Sequence, residues 1–283
     1  MRLHANLAGV DVGDGFPVRI VGAINVSPES FYSGSVAHSR RALQRLAQTM
    51  VEDGADLLDI GAMSTAPYVK GAIAETEERR RMTAAVRAVR QVVAVPISVD
   101  TQRSSVAAAA LEAGAAVIND VSGLSYDSGM ARVARQAAGV ILMAFEKGAS
   151  REAPVRMVAS LLRGCLRRAR SGGIDRRRIV LDPGIGFFRH AAVPWYEFDC
   201  LLLSQLSRLR QLRQPLLVGV SRKSFIGKLS SRIHPAERLA GSLAATAIAV
   251  HNGAALIRTH DVGATRDAVR VATALRSAGQ RGR

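Results

Sequence analysis

Residues suited to binding or activating a small molecule recur at one kind of place in this chain, just after a short apolar run. Asn25 follows the first run and Asp59 closes the second. Asp100 follows the third, Asn119 and Asp120 the fourth, and Asp182 the sixth. Ser221, Arg222 and Lys223 follow the seventh, and Arg258 and His260 the eighth. A single aspartate after a strand is ordinarily a turn or helix cap. Strand after strand ending this way points to a shared site. Asp100, Asp182 and Asn119 offer acceptors and an amide, a set that suits a guanidine-like edge with adjacent N–H donors, as in a pterin or a guanine. Asp182 stands in Leu181-Asp-Pro-Gly-Ile-Gly-Phe187, whose glycines let backbone approach a flat ligand; the same segment also reads as a plain capped turn. Arg222, Lys223, Arg258 and His260 put cationic or potentially cationic groups on neighbouring strands, where an anion such as a diphosphate would be held. Asn25 is suited to Mg²⁺ or to a phosphate oxygen. Together these types fit displacement of an anionic leaving group from a flat heterocycle. No Ser-His-Asp order stands out, and His4, His38, His190, His234 and His251 read as surface or helix residues.

The elements that must carry these residues alternate evenly. Apolar runs over 19–24, 56–60, 97–99, 116–118, 139–143, 179–181, 216–219 and 255–258 predict strands buried on both faces. Helical patterns follow over 38–53, 75–93, 103–113, 128–137, 155–171, 196–211, 236–251 and 264–277. Eight strand–helix units predict an α/β fold, a single (β/α)8 TIM barrel over residues 1–283, with a doubly wound open sheet as the competitor. Residues 1–18 form an extension and 278–283 a frayed basic tail. In a barrel all the strand ends meet on one face, and phosphate is commonly bound after the seventh and eighth strands.

Composition bounds the partners. There are 39 Lys and Arg against 23 Asp and Glu, a net charge of +16, which invites an acidic partner. Only 4% of residues are aromatic, and no helix-turn-helix or RNA-binding motif occurs, so no nucleic acid is expected. Most of the arginines fall on predicted helices, outside such a barrel. Two cysteines, neither in a CxxC, predict a reducing, cytoplasmic setting. The opening residues lack the apolar core of a signal peptide, and no apolar stretch is long enough for a membrane span.

The motifs that carry these residues resemble those of dihydropteroate synthase, the pterin-binding barrel family of folate synthesis. They run in order as Gly22-Ala-Ile-Asn-Val-Ser-Pro-Glu-Ser-Phe31, Gly54-Ala-Asp-Leu-Leu-Asp-Ile-Gly61, Ser64-Thr65, Ser98-Val-Asp-Thr101 and Ile118-Asn-Asp-Val-Ser-Gly123. Then come Leu181 to Phe187, Gly219-Val-Ser-Arg-Lys-Ser-Phe-Ile-Gly227, Arg238-Leu-Ala-Gly-Ser-Leu-Ala-Ala-Thr246 and Arg258-Thr-His-Asp-Val262. The resemblance implies a transferase that condenses 6-hydroxymethyl-dihydropterin diphosphate with an aniline, releasing diphosphate. It implies catalytic roles for Asp100, Lys223 and Asp182. Asn119 would hold the dihydropterin with those three, and Asn25, Arg258 and His260 the diphosphate. It further implies substrate contacts for Met143, Phe187, Ser64, Thr65 and Arg222, Mg²⁺ at Asn25, loops over 27–35 and 64–68 that close over the site, and a homodimer joined through the last helices.

The chain departs from that family around the aniline. The family's second loop, Gly-Glu-Ser-Thr-Arg-Pro-Gly, is Ala62-Met-Ser-Thr-Ala-Pro-Tyr68 here, so the loop arginine is Ala66. After the sixth strand, a Gly-Lys pair is Phe188-Arg189. These loops resemble the branch associated with tetrahydromethanopterin synthesis, which implies a ribofuranosylaminobenzene phosphate as the aniline, met by Lys147, Arg189 or Lys70. The alternatives are p-aminobenzoate, as in folate synthesis, a pterin-binding methyltransferase, and an inactive pterin-binding paralogue.

Overall fold

The chain opens with an antiparallel hairpin of β1 (His4–Leu7) and β2 (Val10–Gly13). Ala8 and Gly9 both take positive φ at its turn, the backbone that a two-residue hairpin requires. The computed structural model describes residues 2–27, 39–63, 73–145, 152–189, 191 and 193–281. Eight strands follow the hairpin: β3 (Arg19–Asn25), β4 (Leu57–Gly61), β5 (Ile97–Asp100), β6 (Val117–Asp120), β7 (Gly139–Met143), β8 (Ile179–Asp182), β9 (Leu217–Gly219) and β10 (Leu256–Thr259). All of their pairings are parallel, in the order β8-β7-β6-β5-β4-β3-β10-β9. A parallel bridge between Leu181 and Leu216, with Leu181 N–H donating to Pro215 O at 3.0 Å, joins the two ends into a ring. This is the (β/α)8 barrel, not the open sheet.

The helices are α1 (Arg40–Glu52), α2 (Glu75–Arg90), α3 (Ser104–Glu112), α4 (Met130–Ala134), α5 (Pro154–Ser171), α6 (Trp195–Ser204), α7 (Ser224–Ser230), α8 (Leu239–His251) and α9 (Val262–Arg281). Several boundaries differ from the sequence reading. The long helix expected over 196–211 ends at Ser204 and continues as a 3₁₀ segment, Leu206–Leu212. A short α7 precedes α8, in a stretch to which the sequence reading assigned no helix. The last helix runs to Arg281, past the start of the expected tail. The extension is ordered as the hairpin.

Two apolar shells hold the barrel. Inside it, Val21, Leu57, Val117, Ile141, Val180, Leu217 and Leu256 pack with Ala5, Leu7 and Val12, so the hairpin plugs the amino-terminal end. A Cβ on Gly139 would lie 3.0 Å from the Leu7 Cα, so the close approach of the plug depends on that glycine. Outside, the helices cover Ile24, Leu58, Ile60, Val99, Ile118 and Leu142, all fully buried. Each such side chain contributes roughly 1.5–3 kcal/mol by leaving water.

The register sets the site. Asn25 pairs with Gly61, Gly61 with Asp100, and Asp100 with Asn119. Met143 pairs with Asp182, and Arg258 with Gly219. Asn25, Asp100, Asn119 and Asp182 therefore belong to the strands rather than following them. The ladder continues one residue past the apolar run because backbone pairing does not depend on side-chain polarity.

Candidate active site

A slot of about 60 Å³ opens at the carboxyl ends of the strands, where barrels build their sites. It is lined by Asp100, Asn119, Met143, Asp182, Phe187, Lys223, Arg258 and His260, all anticipated from sequence. Ala23 and Gly219 leave it room, and Ser221, Thr259 and Val121 complete the wall.

Asp59 is the hub beneath the slot. It is fully buried, accepts from Arg258 Nε at 2.6 Å and from Asn119 Nδ2 at 3.1 Å, and so aims both side chains. Arg258 Nη2 lies 3.5 Å from Asp100 Oδ2. Burial works against the Arg258 charge, but Asp59 and then Asp100 outweigh it and hold the guanidinium above its usual range. Burial and the Asp59 charge push Asp100 up to about 7, with Arg258 opposing. Burial raises Asp182 too, against the pull of Lys223. Three acceptors, Asp59 Oδ1, Asp100 Oδ1 and Asn119 Oδ1, are buried with no hydrogen-bond partner among the described residues. Behind Asp100, the buried Glu78 accepts from Thr101 Oγ1 at 2.7 Å and Arg103 Nη1 at 2.8 Å, which pins the chain leaving β5.

Asp182 unites the two readings of its segment. It lines the slot, and its Oδ1 also accepts the Gly184 N–H at 2.7 Å, capping the turn. The turn carries Phe187 to the slot, where the Lys223 ammonium lies 4.8 Å from the ring centroid. Lys223 also donates to Ile185 O. Burial holds Lys223 down to about 8, with Asp182 and Asp199 pulling it up. His260 Nδ1 lies 3.1 Å from Ala23 O, and a carbonyl only accepts, so Nδ1 carries the proton. Burial, then Arg258, pushes His260 down to about 4. The imidazole is neutral near pH 7, not one of the cations its strand position suggested.

Other expected residues are not in the slot. Arg222 turns away. Its Nε and Nη2 hold Asp261 at 2.9 and 2.6 Å, and its Nη1 donates to Pro235 O and Ala236 O. Arg189 is engaged by Ser224 Oγ at 2.8 Å, Gly186 O at 3.1 Å and the Trp195 ring at 4.3 Å. Ser64 and Thr65 lie outside the described residues, as do Ala66, Tyr68, Lys70, Lys147, most of the first loop, His38 and His190. Of the other histidines, His4 meets Asp11 at 2.9 Å. His251 lines a larger cavity of about 610 Å³ at the opposite end of the barrel, which holds none of the strand-end residues.

The metal reading can be tested on donor chemistry. Among the described residues no group of three or more His, Cys, Asp or Glu forms a cage. Asn25 Oδ1 sits at the strand-end ring, 3.5 Å from where a Gly61 Cβ would be. One amide oxygen suits an Mg²⁺ that keeps its waters and is held mainly by substrate phosphates.

Sequence reasoning placed Asp59 among the strand-end residues but gave it no role of its own. It also passed over Asp199, an acid on the otherwise largely apolar α6.

Comparison with known proteins agrees with this geometry. Residues 21–260 match the family described as pterin binding enzyme. The dihydropteroate synthase of Synechocystis sp. is 38% identical over 264 residues, covering 90% of this chain and 89% of that protein. The Xanthomonas albilineans dihydropteroate synthase, solved with 4-aminobenzoic acid, superposes with a TM-score of 0.84 at 36% identity, covering 97% of this chain and 98% of that one. The Coxiella burnetii dihydropteroate synthase, solved in complex with pteroic acid, gives a TM-score of 0.86 at 33% identity, covering 98% and 99%. The chain belongs to the pterin-binding enzyme family, among the dihydropteroate synthase-like transferases.

Proposed function

We propose that the chain joins 6-hydroxymethyl-dihydropterin diphosphate to p-aminobenzoate and releases diphosphate. The carrying observation is the pair of buried, unpartnered acceptors among the residues that line the slot, Asp100 Oδ1 and Asn119 Oδ1. Leaving such acceptors unpaired costs about 1–3 kcal/mol each, and a pterin's amino and ring N–H groups would relieve it. The dihydropteroate synthase relatives support p-aminobenzoate as the nucleophile. The ribofuranosylaminobenzene phosphate suggested by the loops would draw on Arg189, whose guanidinium is already engaged by Gly186 O, Ser224 Oγ and the Trp195 ring.

In this reading the aniline nitrogen attacks the pterin methylene carbon, the carbon–oxygen bond to diphosphate breaks, and the nitrogen gives its proton to water. Asp100, Asn119 and Asp182 hold the pterin edge, and Lys223 with Phe187 fixes the ring. Arg258, cationic across the working range, meets charge growing on the leaving diphosphate. His260, neutral near pH 7, lines the slot with Arg258. Mg²⁺, when bound, would neutralise part of that charge, with Asn25 as its protein ligand.

Diphosphate release measured with p-aminobenzoate and with the ribofuranosyl aniline phosphate tests the reading. Preference for p-aminobenzoate is expected; preference for the phosphate overturns the choice of nucleophile. Pterin diphosphate that binds in calorimetry but releases nothing with either aniline overturns turnover itself.

The Asp100 environment predicts a pH dependence. The carboxylate accepts from the pterin and the carboxylic acid does so poorly, so affinity is present above about 7 and falls below it. Pterin affinity is expected to drop by up to about tenfold per pH unit on the acid side. Titration of pterin binding checks this, and a flat profile that Asp100→Asn leaves unchanged sinks it.

We also propose a homodimer. From Leu239 to Val250, α8 carries no charged side chain, and Ile248 on α8 with Val271 and Leu275 on the adjoining α9 are each more than half exposed. Such a patch is expected to be covered, and a second copy covers it symmetrically. Sedimentation should show twice the chain mass; a monomer at micromolar concentration counts against it. Both cysteines are free, Cys165 buried, which suits the cytoplasm; among the described residues no helix is long and apolar enough to cross a membrane.

A further inference from the structure

Lys223 reaches the slot by lying along Gly186. Gly186 has φ +83°, and a Cβ there would come 2.8 Å from Lys223 Cδ. The peptide unit joining Ile185 to Gly186 then meets a charge at each end. Its carbonyl accepts the Lys223 ammonium, and its N–H donates to Asp199 Oδ1 at 2.8 Å. A peptide held between a cation at its oxygen and an anion at its hydrogen is polarised by both, so each bond strengthens the other. The next carbonyl, Gly186 O, is held by Arg189, which also bonds Ser224 beside Lys223 and lies over Trp195. Trp195 and Asp199 both stand on α6, so one helix supports the whole turn.

Asp199 is fully buried, and its second oxygen has no partner among the described residues. A buried carboxylate is costly unless nearby cations balance it. The cations facing it are Lys223 and Arg189.

We propose that Asp199 is a positioning residue for Lys223, acting through the Ile185–Gly186 peptide to hold the ammonium in the slot and keep it protonated. The assignment rests on the pterin-transfer reading above. It deepens that reading by placing the control of Lys223 outside the slot, on α6. The charged groups facing Lys223 are Asp182 from β8, Asp199 from α6, Arg258 from β10 and Arg189 from the turn after β8. Of these, Asp199 holds Lys223 through a shared peptide. Burial pushes Asp199 up to about 6, so it is largely ionised at neutral pH, where Lys223, held down to about 8, is still largely cationic.

The chain has only four lysines, Lys70, Lys147, Lys223 and Lys228, so ¹³C-methylated lysine resonances can be followed one by one. The Lys223 signal is the one missing from Lys223→Arg. In Asp199→Asn, which keeps an acceptor for the Gly186 N–H but drops the charge, the Lys223 midpoint is expected to fall by about one pH unit. The alkaline limb of kcat/KM should move down with it, while Lys228 stays put as the internal control. An unchanged Lys223 midpoint in folded Asp199→Asn or Asp199→Ser overturns the proposal. Failure of both variants to fold also overturns it, since the carboxylate then serves the fold. The lysine titration needs no substrate, so it stands or falls separately from the diphosphate-release assay.

Discussion

Lys223→Ala is expected to lower kcat/KM for pterin diphosphate by about 100–1,000-fold with no loss of fold, a range typical of removing one preorganised charged or donor group from a site. Lys223 is the N-cap residue of α7, makes no side-chain cap bond, and sends its side chain to the slot instead. The ammonium lies over Phe187 and bonds Ile185 O, so it is fixed before substrate arrives. Removing it takes a cation away from Asp182 and leaves both carboxylates of the slot wall facing Arg258 alone. Lys223→Arg should recover little, because the side chain lies close along Gly186 and a planar guanidinium cannot reproduce a point charge. Steady-state kinetics with far-ultraviolet circular dichroism checks this; a folded variant within about threefold of the parent removes Lys223 from the chemistry.

Arg222→Ala is expected to cost stability, about 3–5 kcal/mol, because it strips a largely buried ion pair of its cation and two carbonyls of their donor. The Arg222 side chain is 6% exposed and gives its donors to Asp261, Pro235 and Ala236. Its own N–H donates to Ser242 Oγ at 2.8 Å, and its carbonyl accepts from Arg238 at 3.0 Å. One residue thus ties the end of β9 to α8 and to Asp261, the residue before α9. It holds φ +55°, a conformation that non-glycine residues take only when surroundings compel it. A loss of that size corresponds to a fall in Tm of about 6–15 °C. Thermal unfolding with and without inorganic diphosphate distinguishes this from the sequence reading. A structural Arg222 lowers Tm in both conditions. A phosphate-binding Arg222 would leave the ligand-free Tm intact and abolish the shift that diphosphate produces.

The contrast between neighbours explains how far the site could be read. Asp100, Asn119 and Asp182 were legible because strand periodicity places a polar residue at the end of an apolar run, and barrel topology sends every such end to one face. Arg222 and Lys223 are adjacent in the same motif, yet they point to different places. The positive φ of Arg222 and the ion pair with Asp261, 39 residues on, decide that, and neither is visible in a local pattern. His260 shows the same limit. Its place after β10 was apparent, but its neutrality comes from burial beside Arg258 and from the bond to Ala23 O, 237 residues away in sequence. Asp59 was placed at a strand end but given no role, and Asp199 was passed over, because an acid in an apolar segment gains a role only from its partners, Arg258 and Asn119 in one case and the Gly186 peptide in the other.

The hairpin at the amino end was missed for a related reason. Its two strands are only four residues each, and they are stabilised by filling the barrel floor rather than by their own pattern.

By itself, then, the order of residues determined the alternation of strands and helices, the barrel, and the ring of polar residues at its mouth. Those depend on period and on burial of apolar runs, which are local properties of a chain. Tertiary structure alone decided which of those residues face a ligand, which carry charge, and which acceptors are left unpaired. Those depend on distance and desolvation among residues far apart in sequence, and both exist only once the ring has closed.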